Sequence, residues 1–264
     1  MSTLQIKGSA SGYLGAELLA AARAEAAKFF GLRSLLWLYA LGITLSIALG
    51  WLLGASAKAS GDNGFDTAMP APLMVFATLQ FGQLFFAAAA ALHITSEYSS
   101  GTITTSLQAV PRRGLLLAAK SLLLSGLGFA AGVAMIGVGT IPAALSAGPY
   151  GAFAVSDLVS ACLGAGTYLA LLSLMVLGLG LLCRNSAGAI VSAIMLVTGL
   201  PQILQLIPFS WVQTVADYLP SNAATFMATG ATEPYGPTVA LLVLAGWAVA
   251  LPGAGYVSLK RRDA

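Results

Sequence analysis

The chain has few residues that could do chemistry: nine Asp and Glu, twelve Lys and Arg, one His and two Cys. The lone histidine, His93, has no second His at metal spacing and no cysteine near it in sequence, so a metalloprotease centre is not expected. Nucleophilic catalysis by a buried serine would need a base within reach, and His93 falls at the end of an apolar run rather than inside one. Cys162 and Cys183 lie near opposite ends of another apolar run, about 30 Å apart on a single helix, too far to pair. Ion-coupled transport usually leaves an ionisable group deep in the bilayer. Here Glu97 follows an apolar run, Asp157 opens one, and Asp217 and Glu233 fall in a connection. Lys120, early in its run, is expected to snorkel to the surface, and His93 to sit at the interface. The glycines 126–139 lack the strand and turn of a dinucleotide fingerprint, and no Gly-rich loop ends in Lys and Ser or Thr. No catalytic residue, metal ligand or cofactor is therefore expected on this chain, and any nucleotide that drives it binds elsewhere.

The elements that hold these residues follow from composition. Of 264 residues 58% are hydrophobic and only 8% charged, against roughly 25% charged in a soluble domain. With a mean hydropathy of +0.88 this is a membrane protein. A net charge of +3, spread in small clusters, excludes a nucleic-acid footprint. Six stretches reach the length of a spanning helix, near 34–54, 73–94, 115–140, 157–183, 187–207 and 237–258. Of the twelve basic residues only Lys58 falls on the face opposite the rest, which places both termini in the cytoplasm. Residues 55–72 and 141–156 read as turn-rich loops, Arg184-Asn185-Ser186 as a tight hairpin, and 208–236 as an outer, re-entrant loop. The first residues lack the apolar core and cleavage site of a secretory signal, so no processing is expected. Gly128 and Gly132 form a small-xxx-small pair suited to close helix packing.

Two amphipathic segments stand apart from the spans. Residues 13–31 place Leu14, Leu18, Ala22 and Phe29 on one face and Glu17, Arg23 and Lys28 on the other, with Glu25 intruding on the apolar side. This predicts a helix along the cytoplasmic membrane surface. Between the second and third spans, Ile103, Leu107 and Val110 share one helical face and Ser99, Thr102 and Ser106 another, which predicts a short helix over 96–110. Pro111 would stop it, and Arg112 with Arg113 would anchor the return at the anionic leaflet.

The order Glu97-Tyr98, Gly101-Thr102-Ile103, a short polar helix, then Pro111-Arg112-Arg113 and Lys120 resembles the coupling region of type-2 ABC exporter permeases. The layout of an amphipathic helix, six spans and a partly re-entrant loop before the sixth is similar to that family over the whole chain. The resemblance implies an all-α permease of the type V ABC exporter kind. Its ATPase-coupling residues would be Glu97, Tyr98, Gly101, Thr102, Ile103, Arg112 and Arg113, with Glu25 of the amino-terminal helix. It also implies two cytosolic ATPase subunits carrying ATP and Mg, a second copy of this chain, contact with membrane lipid, and residence in a bacterial cytoplasmic membrane. The pathway between spans two and five would be lined by Gln80, Phe81, Leu84, Phe85, Met195, Leu200 and Leu204. Such apolar and thioether side chains suit an amphipathic cargo, an antibiotic, lantibiotic or drug-like molecule. Lipid or polysaccharide export, ion-coupled transport and a channel remain as alternatives.

Overall fold

The structure, a computed structural model, describes residues 10–109, 112–230 and 232–261. Every regular element among them is helical. Five helices are long and apolar enough to cross a membrane, or six if one bent pair counts as a single span. They are α2 (Arg33–Asp62), the bent pair α3 (Ala71–Ala77) and α4 (Leu79–Ser99), α6 (Arg113–Ala147), α7 (Val155–Cys183), the segment Ser186–Gln205, and α12 (Pro237–Arg261). α1 (Ala10–Gly31) precedes them, and α5 (Thr102–Ala109) lies between α4 and α6. The chain is thus a multi-pass helical protein built for a bilayer, where backbone groups must be satisfied within each segment.

α7 is apolar all round, and such a helix belongs in the interior. Its Tyr168, Leu169, Leu172, Met175, Val176 and Leu177 are buried at the centre of the bundle. α6 and α12 pack on it, and glycines set how closely. A Cβ on Gly128 would lie 2.5 Å from the Leu169 carbonyl oxygen, and one on Gly132 2.5 Å from the Ala165 carbonyl, so only glycine permits this approach. Gly178 of α7 does the same against Leu251 of α12. α7 ends at Arg184, which adopts a left-handed conformation (φ 56°), and Asn185 caps the next helix by accepting from the Gly188 amide at 2.6 Å. The expected tight hairpin is therefore present.

The helices outrun the expected spans at several ends. α2 continues to Asp62 and α6 to Ala147, so the loops expected at 55–72 and 141–156 shrink to 63–70 and 148–154. Tyr150 donates to Asp62 at 3.3 Å and the Met69 amide donates to the Tyr150 carbonyl at 3.1 Å, which ties the two connections together. The short polar helix expected over 96–110 is divided. Residues 96–99 complete α4, the chain breaks at Ser100 and Gly101, whose φ of +72° suits glycine, and α5 begins at Thr102. Val110 and Pro111, Lys7 and Arg262, and the side chains of Leu14, Ser106 and Leu107 lie outside the described residues. In the fifth connection, residues 208–236, α10 (Ser210–Asp217) and α11 (Pro220–Thr229) form two short helices, with α11 packed on α7 and α12.

Two spans carry irregular backbone. α3 and α4 meet at Thr78 with a 52° bend. The Thr78 hydroxyl donates to the Val75 carbonyl at 2.7 Å and also lies 3.1 Å from the Ser46 carbonyl, which satisfies groups the break leaves open. In the fifth apolar segment a π turn, Met195–Gly199, separates α8 (Ser186–Ile194) from α9 (Leu200–Gln205).

Candidate functional site

α1 lies against α6 and touches α2. Its inward face carries Ala21, Glu25 and Phe29 in succession, spaced one helical turn apart, all buried. The glutamate that breaks the apolar pattern is thus aimed into the protein. On α4, His93 and Glu97 are four residues apart and share the facing surface; on α6, Lys120 sits two turns from the helix start. Lys120 Nζ lies 2.6 Å from Glu25 Oε2 and 2.8 Å from Glu97 Oε1. Lys28 Nζ lies 2.7 Å from Glu25 Oε1 and 2.8 Å from the same Glu97 oxygen. Two carboxylates and two ammoniums therefore join three helices that are distant in sequence.

The cluster is dry and balanced. Glu25 and Lys120 are each 2% exposed and Glu97 5%, while Lys28 closes it from the half-buried side. His93 Nε2 stands 3.3 Å from Glu25 Oε2, off the line of a hydrogen bond, and neither ring nitrogen has another partner among the described residues. Its ring is enclosed by Phe29, with centroids 5.6 Å apart, and Phe29 stacks edge-on to Tyr39 at 5.4 Å. Burial pushes the Glu25 carboxyl up, but the His93 ring, Lys120 and Lys28 outweigh it and hold the pKa at about 2. For Lys28 burial pushes down, and the two glutamates outweigh it and raise the pKa. Isolated, any of these charges would cost several kcal/mol to bury; paired, they fasten the helices in one register.

Three sequence expectations change here. Lys120 does not snorkel, because Glu25 and Glu97 offer it two carboxylates inside the protein. His93 is not at a solvated boundary but 2% exposed behind Phe29. Lys28, placed on the polar face of the surface helix, turns inward to the same carboxylates.

The remaining candidate residues make contacts beyond the cluster. The Arg184 guanidinium lies 5.5 Å from the centre of the Tyr98 ring, and Thr95 and Ser186 hydroxyls meet at 2.8 Å, which joins the end of α4 to the α7–α8 hairpin. Arg113 donates to the Leu259 carbonyl near the end of α12. Arg112 lies 3.5 Å from Glu17 in an exposed pair that adds little. α5 stands on this base with Ile103 buried and Thr102, Thr104, Thr105 and Gln108 exposed.

Within one copy of the chain the candidate pathway residues occupy different surroundings. A cavity of about 430 Å³ opens between the α3–α4 bend, Tyr168, the π turn and α11, and Gln80 lines it. Phe81, Met195 and Leu200 are instead exposed on the outer surface of the chain. Phe85 packs against Gly42 of α2, and Leu84 and Leu204 are half-buried outside the cavity. Gln83 lines it as well, together with Tyr168 and Thr198, which periodicity and composition do not single out.

No group of three or more His, Cys, Asp or Glu suited to a metal occurs among the described residues, and both cysteines are free. No family model matches the chain, and no curated protein matches it.

Proposed function

We propose that this chain is the membrane subunit of an ATP-driven exporter, similar to type-2 ABC permeases, in a bacterial cytoplasmic membrane with both termini inside. It would cross six times, counting α3 and α4 as one span, pair with a second copy, and engage two cytosolic ATPases that bind ATP and Mg. The cargo would be amphipathic or hydrophobic, an antibiotic, lantibiotic or drug-like molecule.

The buried ion cluster carries this reading. It fastens the surface helix α1, the last turn of α4 and the start of α6 into one unit, and α5 projects from that unit with a polar, exposed face. A helix so mounted transmits a push instead of bending under it. Glu25 and Glu97 then act as positioning residues, while Thr104, Thr105 and Gln108 offer the contact surface. ATP must favour one global arrangement over another for any shift to follow, and a rigid lever delivers that difference to the spans.

The test is affinity purification of the tagged chain from its native membrane in mild detergent. A P-loop ATPase is expected to accompany the wild type and to be lost from Thr104→Lys/Gln108→Lys, with thermal stability unchanged. An ATPase retained by that variant removes the coupling role of α5. The cluster also favours a second reading, ion-coupled transport, since buried ionisable groups in a membrane protein often mark a proton route. Flux driven by a pH gradient in vesicles without ATP would support it and displace the exporter.

A further inference from the structure

The cavity beside the α3–α4 bend differs in kind from the apolar pathway that the sequence implies. Its walls contain no Asp, Glu, Lys, Arg or His. Five carboxamides line it, Gln80, Gln83, Gln202, Gln205 and Asn222, set among apolar groups that include Leu73, Phe76 and Pro201. At about 430 Å³ it lies within the range of sites for drug-sized ligands.

Its position is as informative as its lining. Irregular backbone at membrane depth is tolerated where it borders a cavity or is buried in protein, and π turns gather at functional sites. Here both irregular segments, the bend at Thr78 and the turn Met195–Gly199, border the same space. The inner wall is set by a buried chain of hydrogen bonds: the Tyr168 hydroxyl donates to Gln83 Oε1, and Gln83 Nε2 donates to the Gln80 carbonyl at 3.1 Å. Two further hydroxyls of the lining, on Thr198 and Ser221, are buried with no hydrogen-bond partner among the described residues. An orphaned buried hydroxyl costs free energy, and rotation toward a ligand with free polar groups would recover it.

We infer that this cavity is a binding site for an uncharged, amphipathic molecule bearing backbone amides, such as a short hydrophobic peptide with blocked ends. A carboxamide carries a donor and an acceptor on one group and meets a peptide bond with both. The absence of charge in the lining makes a free carboxylate or ammonium costly there, because it would be desolvated without a partner. Apolar side chains of the ligand face Leu73, Phe76 and Pro201. As the place where cargo is held, the site rests on the exporter reading; as a binding site it does not need the ATPase.

The test uses the full chain in lipid nanodiscs and the probe N-acetyl-leucyl-glutaminyl-leucine methylamide with a photoreactive diazirine on one leucine. Labelling is expected in 73–83, 197–205 or 221–229, displaced by excess unlabelled peptide. It should fall about tenfold in Gln202→Leu/Gln205→Leu, the loss of two ordinary hydrogen bonds, and about as much when the probe ends in a free carboxylate. Gln202 and Gln205 stand at exposed positions, so the melting temperature should not change. Labelling absent from these segments, indifferent to the double substitution, or matched by a diazirine-bearing long-chain alcohol that the peptide fails to displace would overturn the inference. In the last case the cavity is a gap filled by lipid. ATPase recovery is measured on the same preparation. Peptide binding without ATPase removes the exporter and keeps the site, whereas ATPase without peptide binding does the reverse.

Discussion

The ion cluster and the cavity are both polar regions inside an apolar bundle, and they use polarity in opposite ways. The cluster contains full charges at contact distance, with Lys120 held by two carboxylates and no space left between them. The cavity contains neutral amides around an open volume, bordered by backbone that departs from regular helix twice. Charge in a dry place locks the elements that carry it, because removing any one group strands the others. Neutral amides exact a smaller penalty when unpaired, so they can be left facing space and wait for a ligand. The same contrast separates a part that must stay rigid from a part that must exchange partners.

The hardest test of that contrast is Lys120→Met. It leaves Glu25 and Glu97 buried with only Lys28 between them, and an expected loss of about 3 to 5 kcal/mol. Thermal unfolding in detergent measures it, and Glu25→Gln/Lys120→Met should recover part of the loss by removing the stranded charge as well. A double variant no better than the single would show that packing, rather than charge, holds this region together.

Acid should loosen the cluster before it affects the cavity. The Glu25 pKa is about 2 in the folded chain against 4.5 ordinarily, so the group binds its proton less readily folded than unfolded. Its contribution, on the order of 3 kcal/mol, is complete above about pH 4.5 and disappears as pH falls toward 2. Stability measured over that window should decline in the wild type and decline less in Glu25→Gln. Equal slopes would mean that Glu25 does not carry the effect.

The two regions were unequally legible in the sequence, and for physical reasons. Apolar runs of about 20 residues mark spans by composition alone, which is why the helices fall where they were expected. Partners in the cluster are 95 residues apart in the case of Glu25 and Lys120, a separation over which periodicity carries no information. A signal was present nonetheless: Glu25 interrupts an apolar face of α1, and Lys120 interrupts an apolar stretch of α6, two opposite charges each in an unfavourable place. Opposite misfits of this kind are best explained by each other. The cavity left a fainter trace, since neither the bend at Thr78 nor the π turn follows from residue type, and both border it.

On the cavity side the largest effect should come from the buried hydrogen bond between Tyr168 and Gln83. Tyr168→Phe removes the hydroxyl that donates to Gln83 Oε1 and leaves that oxygen without its donor. A loss of about 1 to 3 kcal/mol is expected, smaller than for Lys120→Met because a neutral acceptor is stranded instead of a charge. A cost as large as that of the lysine would erase the distinction between the regions.

The smallest effect should come from Gln80→Leu, and its smallness is the point. Gln80 lines the cavity from an exposed position, and among the described residues its side chain takes part in no hydrogen bond that the fold requires. Substitution should therefore change stability by no more than about 0.5 kcal/mol, as at ordinary exposed positions. Labelling by the blocked peptide should nevertheless fall several-fold, because the carboxamide removed is one that a bound amide would meet. Stability and binding thus part company at this residue, whereas at Lys120 a loss of stability comes first and every other effect follows from it. If Gln80→Leu instead lowers the melting temperature as Tyr168→Phe does, its side chain belongs to the framework, and the open part of the site shrinks to the wall formed by α9 and α11.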